Sequence, residues 1–231
     1  MLLSADVRPS RPILALAVAL VVANLTLFVL IAEDLLEGGG LISHDEAVLT
    51  WFVDHRTDWL ISAAKVVSTL GSFVSLLIAA VLVGLLVWRR GWHLGLAIAP
   101  LTSLVLASLA STAAKAIFDR QRPPVTLHAT TVTLASFPSG HATDAAAFFV
   151  AASVTLAITI ARRRSKQLFL IAAGTLLAAV VGLSRLVLGV HWLSDVVAGW
   201  ALGAAFAITV VVAAWYLTTN PGSTSRTGPV P

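Results

Sequence analysis

Six long apolar segments dominate this sequence, at about 12–32, 70–88, 94–118, 142–161, 168–188 and 192–217. A hydrocarbon core about 30 Å thick is crossed by roughly 20 apolar residues in helical form, because a helix satisfies its own backbone hydrogen bonds in lipid. The expected fold is an all-α polytopic membrane protein with six transmembrane helices. Composition agrees: of 231 residues, 58% are hydrophobic and only 11% charged, with a mean hydropathy of +0.93. A soluble domain carries roughly 25% charged residues, so this chain has too little polar surface to cover a water-facing globule. The absence of cysteine excludes disulfides, Cys-ligated zinc, iron–sulfur clusters and thiol catalysis together. A net charge of +4 raises nucleic acid as a partner, but the placement of the cations matters more than their sum.

That placement is asymmetric. Arg8 and Arg11 precede span one, Arg89 and Arg90 separate spans two and three, Arg162, Arg163, Arg164 and Lys166 separate spans four and five, and Arg226 follows span six. All fall on one side if six helices alternate, and the positive-inside rule makes that side, with both termini, cytoplasmic. The first apolar run is longer than the roughly 7–15 residues of a signal-peptide core, so it reads as an uncleaved anchor. The outward connection at about 33–69 carries Glu33, Asp34, Glu37, Asp45, Glu46, Asp54 and Asp58 against Arg56 and Lys65. Within it, Val48, Leu49, Phe52 and Val53 recur at helical spacing after Ser43, with Trp51 and Trp59 suited to the headgroup zone, so an interfacial helix is expected. Residues 1–217 read as one membrane domain and 218–231, rich in Thr, Ser, Gly and Pro, as a disordered tail. Gly199 and Gly203 form a GxxxG pattern, read as packing within one monomer in preference to a dimerisation face.

A charge at mid-membrane costs on the order of 3 kcal/mol, so ionisable residues near a span are functional candidates. Here Lys115, Asp119, Arg120, Arg122, His128, His141, Asp144, Arg185, His191 and Asp195 all lie at outward helix ends or in outward connections. Three clusters stand out. In the first, Lys115 and Arg122 are seven residues apart, close to two helical turns, with Pro123 opening the helix after them; snorkelling cations would fit equally well. In the second, Pro138-Ser139-Gly140-His141 precedes span four, where free N–H groups and the helix dipole make an anion site. Ser139 could donate to that anion or simply cap the helix. In the third, Ser184-Arg185 is followed by His191 and Asp195, spaced i and i+4 on the start of span six, so that the carboxylate fixes the imidazole tautomer and frees the other nitrogen to react. Metal is the rival ligand for His141, His191, Asp119 and Asp195. Lys115, Arg120, Arg122 and Arg185 oppose it, since like charges 4 Å apart repel by about 4 kcal/mol at an effective dielectric near 20. Arginine forks and a lysine point charge suit a phosphate instead.

These clusters resemble the motifs of the type 2 phosphatidic acid phosphatase (PAP2) superfamily, K-x6-RP, PSGH and SR-x5-H-x3-D, and all eleven fixed positions are present. The resemblance implies that His191 is the nucleophile, Asp195 orients it, and His141 is the general acid for the leaving oxygen. It implies that Lys115, Arg122, Ser139, the Gly140 N–H and Arg185 hold the phosphoryl oxygens, with no metal and no cofactor. Asp119, Arg120, His128 and Asp144 match no fixed position and read as supporting or surface residues. The expected function is hydrolysis of a lipid phosphate or diphosphate, such as isoprenyl diphosphate, phosphatidic acid or phosphatidylglycerol phosphate, through a phosphohistidine at the outer face of the cell membrane. A lipid phosphotransferase using the same intermediate is the related alternative. An anion transporter fits less well, because the charges gather at one end of the spans. Neither the lipid nor the oligomeric state is specified by these residues.

Overall fold

In a computed structural model, which describes residues 3–5 and 7–219, the apolar segments all become helices. They are α1 (Arg11–Glu37), α2 (Asp45–Asp54), α3 (Asp58–Leu70), α4 (Phe73–Arg89), α5 (Leu94–Phe118), α6 (Gly140–Thr159), α7 (Arg164–Val187) and α8 (Leu193–Thr218), with short 3-10 turns at Gly40–His44 and Val125–Leu127. Among the described residues, α1, α5, α6, α7 and α8 are each long and apolar enough to cross a membrane. Span two, expected at 70–88, takes a different form. Its apolar run is α4, only 17 residues, and it passes the same test when joined to α3 across a 53° bend. Gly71 and Ser72 occupy the break, and Ser72 caps α4. The helix expected near 43–53 is present as α2; α3, within the same outward connection, was not anticipated.

The bundle is built around α6, which packs against α4, α5, α7 and α8. Its run of Ala142, Ala145, Ala146, Ala147, Ala151 and Ala152 is buried, because small side chains let neighbouring backbones approach. Helix α8 comes closest. A Cβ on Gly203 would lie 2.2 Å from the Thr143 carbonyl oxygen, and one on Gly199 2.7 Å from that of Ser139. The GxxxG pattern is thus occupied by packing inside the monomer. At the periphery, α1 starts with proline in its first turn and stops at Gly38 in the left-handed region, φ 77°. Only 6% of its most apolar stretch is buried, so its remaining face meets lipid.

The helix ends sort into two layers. At one end, Trp215 Nε1 donates to the carbonyls of Ser4 and Val7, and Ala5 N–H donates to Ile158 O. Gln167, beside the Arg162–Arg164 connection, ties Leu3 to the carbonyls of Ala157 and Ala161. The N-terminal segment, the α6–α7 connection and the end of α8 therefore share one layer. The C-terminal ends of α5 and α7 and the N-terminal ends of α6 and α8 share the other. Of the expected disordered tail, residues 220–231 lie outside the described residues.

Candidate active site

Helix α5 ends at Phe118, where Asp119 adopts the left-handed conformation (φ 39°) and donates its N–H to Lys115 O at 3.1 Å. Asp119 is therefore a helix terminator. Arg122 lies beyond the helix, so Lys115 and Arg122 do not meet as neighbours on a helical face. The connection after α5 folds back instead, and both cations converge on one carbonyl. Lys115 Nζ donates to Ala135 O at 2.6 Å and Arg122 Nη2 to the same oxygen at 3.4 Å. Arg122 also donates to Leu134 O and Val190 O and reaches His191 Nε2 at 3.0 Å.

His191 sits two residues before α8, not on it. Its Nδ1 faces Asp195 Oδ2 at 3.2 Å, and that same oxygen accepts the Trp192 N–H at 2.9 Å. Asp195 therefore caps the helix and holds the imidazole together. Ser136 Oγ donates to Asp195 Oδ2 and lies 3.4 Å from His191 Nδ1. These partners assign the neutral tautomer: the proton on Nδ1, toward the carboxylate, and the Nε2 lone pair toward the Arg122 guanidinium. His191 is 2% exposed and Asp195 is fully enclosed. Burial pushes the His191 imidazole well below its ordinary pKa, and Arg122 and Arg185 push the same way against the opposing pull of Asp195. His191 is consequently neutral at neutral pH.

Ser139 is the N-cap residue of α6, yet its side chain makes no capping bond, and its buried Oγ has no partner. Its N–H donates to Asp195 O at 2.9 Å, which fixes the start of α6 to the start of α8. Gly140 and His141 form the first residues of α6, and the Lys115 side chain lies beside Gly140, its Cε 3.8 Å from where a Cβ would be, an ordinary van der Waals distance. Arg185, in the last turn of α7, donates through Nη1 to Ser68 Oγ of α3, and its buried Nε has no partner. His141 meets the backbone of Ser68 and feels the charges of Arg185, Arg122 and Lys115. The structure thus brings all eight expected residues to one end of the bundle.

Charge balance sets these cations apart. Among the described residues, Lys115, Arg122 and Arg185 have no carboxylate within ion-pair distance, whereas Arg120 has two: Asp195 at 2.6 Å and Asp45 at 2.7 Å. Three partly or fully buried cations without a carboxylate at ion-pair distance, next to an unpartnered hydroxyl and a helix N-terminus, make a site that favours an anion. Among the described residues no three His, Asp or Glu side chains gather in a way that could hold a metal ion.

Several functional neighbours escape sequence reasoning. Asp45 looks like one of seven solvated acids in the first outward connection, yet it is buried. Ser136 and Ser68 lie outside any motif. Arg120, read as supporting or surface, joins Asp195, Ser194 and Asp45. His128 instead bonds Pro123 O at 2.9 Å and braces the connection. Asp144 is buried on α6, with Oδ1 unpartnered.

The chain belongs to the PAP2 superfamily, whose family model matches residues 96–219 and so contains all three motifs. It is a phosphatase carried by membrane-spanning helices. Phosphatidylglycerophosphatase B of Bacillus subtilis is 31% identical over 188 residues, 78% of this chain and 88% of that protein. Undecaprenyl-diphosphatase of Sulfolobus acidocaldarius is 32% identical over 124 residues, 52% of this chain and 54% of that protein. The crystal structure of a transmembrane PAP2-type phosphatidylglycerolphosphate phosphatase from Bacillus subtilis superposes with a TM-score of 0.72 at 25% identity, covering 84% of this chain and 93% of that one.

Proposed function

We propose that this protein hydrolyses a lipid phosphate or diphosphate at the outer face of the cell membrane, through a phosphohistidine on His191 and without a metal. The observation that carries the reading is the set of cations lacking counter-ions, Lys115, Arg122 and Arg185, around a neutral imidazole already oriented by Asp195. In the first step His191 Nε2 attacks phosphorus, forming a P–N bond as the P–O bond to the lipid breaks. His141 gives its proton to the departing lipid oxygen. In the second step His141 takes a proton from water, whose oxygen attacks phosphorus, and the P–N bond breaks to release phosphate. Attack and departure lie roughly in line, which suits two histidines supplied by different helices. Lys115, Arg122, Arg185, the Ser139 hydroxyl and the Gly140 N–H offset the charge on the phosphoryl oxygens, the part a metal plays elsewhere.

The named substrates of the relatives, a phosphatidylglycerophosphate and an undecaprenyl diphosphate, support an amphiphilic substrate here. A site at the ends of lipid-exposed helices lets such a molecule present its headgroup while its tail remains in the bilayer. The test is phosphate release by purified protein in mixed micelles, across phosphatidic acid, phosphatidylglycerol phosphate and isoprenyl diphosphate, with EDTA present. Release from at least one lipid at an undiminished rate in EDTA is expected. Activity abolished by EDTA and restored by a divalent cation would contradict the metal-free chemistry; no release from any lipid would contradict the substrate class.

A further inference from the structure

Arg120 differs from the other cations of the site in how its nitrogens are spent. Nη1 donates to Asp195 Oδ1 at 2.6 Å and to Ser194 Oγ at 2.7 Å, and Nη2 donates to Asp45 Oδ2 at 2.7 Å. Asp45, at the start of α2, in turn accepts the Ser194 N–H at 2.9 Å through Oδ1 and the Ser194 hydroxyl through Oδ2. Asp45, Ser194 and Asp195 are buried, and the Arg120 side chain is 10% exposed. Two carboxylates therefore share one guanidinium in a closed network, and the Asp195 oxygen left over is the one facing His191. A buried charge pair of this kind is costly unless its geometry is fully satisfied; every charged group in this one has partners.

We propose that Arg120 and Asp45 are positioning residues for the reaction, forming a relay His191–Asp195–Arg120–Asp45 that fixes the Asp195 carboxylate in its ionised, His191-directed rotamer. Neither touches the phosphate, because both are fully engaged with one another and with α8. The relay also ties α2, outside the part of the chain matched by the PAP2 family model, to the reacting imidazole. This inference rests on His191 being the nucleophile.

The sign of the charge effect is fixed by what surrounds His191. Asp195 of α8 faces it, with Arg122 from the α5–α6 connection and Arg185 from α7 close by, and Lys115 of α5 acts on Asp195. Removing the Arg120 cation makes the Asp195–His191 pair easier to protonate, so activity is lost at a higher pH on the acid side. The experiment compares Arg120→Gln, Arg120→Lys, Asp45→Asn and the Arg120→Gln/Asp45→Asn double variant with wild type in micelles. It reads kcat, KM, the acid limb of kcat/KM and the rate of phosphoenzyme formation. For Arg120→Gln, kcat should fall roughly 10- to 100-fold, the scale seen when outer partners of metal-ligating histidines are removed. KM should be unchanged and the acid limb should move upward. Arg120→Lys should restore the limb and part of kcat, and the double variant should be no worse than Arg120→Gln. Should Arg120→Gln fail to fold, Asp45→Asn, which keeps the Oδ1 acceptor for the Ser194 N–H, decides by a lower kcat at unchanged KM; its acid limb should not move upward, because it removes a carboxylate and leaves the Arg120 cation in place. A rise in KM at constant kcat would make Arg120 a phosphate ligand and overturn the relay, as would wild-type kinetics in both Arg120→Gln and Asp45→Asn. His191→Ala separates the two levels: if it still forms phosphoenzyme, the nucleophile reading fails, whereas if it is inert and the Arg120 and Asp45 variants behave as wild type, the relay alone fails.

Discussion

His191 is held from two sides, by Asp195 at Nδ1 and Arg122 at Nε2, and the two contacts do different things. The carboxylate orients the ring, while burial and the guanidiniums keep it unprotonated. As the proposed nucleophile, His191 needs its lone pair, so activity should be lost on the acid side when His191 takes up a proton, and a lowered pKa moves that loss to lower pH. The acid limb of kcat/KM should therefore have its midpoint below about 6.5, the ordinary imidazole value. A pH profile in micelles checks this, and a midpoint at or above that value would count against a buried neutral histidine. The other limb of the expected bell reports the proton donor, for which His141 is proposed. Ser139 offers a cleaner separation of function from stability. Its buried hydroxyl has no protein partner, so Ser139→Ala breaks no bond within the fold. Its thermal midpoint should match wild type, while kcat should drop by about 10²-fold, the scale of a lost oxyanion donor. Equal activity would show that the hydroxyl does not reach phosphate.

At the scale of elements, α6 and α8 are the pair that matters, since Ser139, Gly140 and His141 lie at or just before the start of one and His191 and Asp195 at or just before the start of the other. Their contact depends on two missing side chains. A methyl group on Gly203 would press on the Thr143 carbonyl at 2.2 Å, and backbone cannot give way as a flexible side chain can. Gly203→Ala should destabilise the protein by about 1–3 kcal/mol, seen as a lower unfolding temperature in detergent, and should lower activity by shifting Ser139 and His141. The apolar runs made these helices legible in the sequence, because length and composition alone decide what can cross a bilayer. Helix geometry was less reliable at the ends. The spacing of Lys115 and Arg122 suggested one helical face, but the backbone at Asp119 turns left-handed and a folded connection does the work. Likewise, the i, i+4 spacing of His191 and Asp195 is real, yet the histidine stands before the helix and the aspartate caps it. Asp45 and Ser68 could not be read out at all, since their importance arises from contacts to residues 149 and 117 positions away in the chain.

For the whole molecule, the two layers of helix ends give the topology a direct test. The site layer is expected outside and the arginine-rich layer inside. Because the chain has no cysteine, single replacements report orientation without background. Ser43→Cys should react with a membrane-impermeant maleimide on intact cells, and Ser165→Cys only after permeabilisation; the reverse pattern would invert the protein. One measurement reaches further than the rest. Protein mixed with a radiolabelled lipid phosphate and quenched in base should carry phosphate in a bond that survives alkali and is lost in acid, as a phosphorus–nitrogen bond is. Wild type should be labelled and His191→Ala should not. Label that persists in His191→Ala, or that is absent from an active wild type under single-turnover conditions, would contradict covalent catalysis by His191.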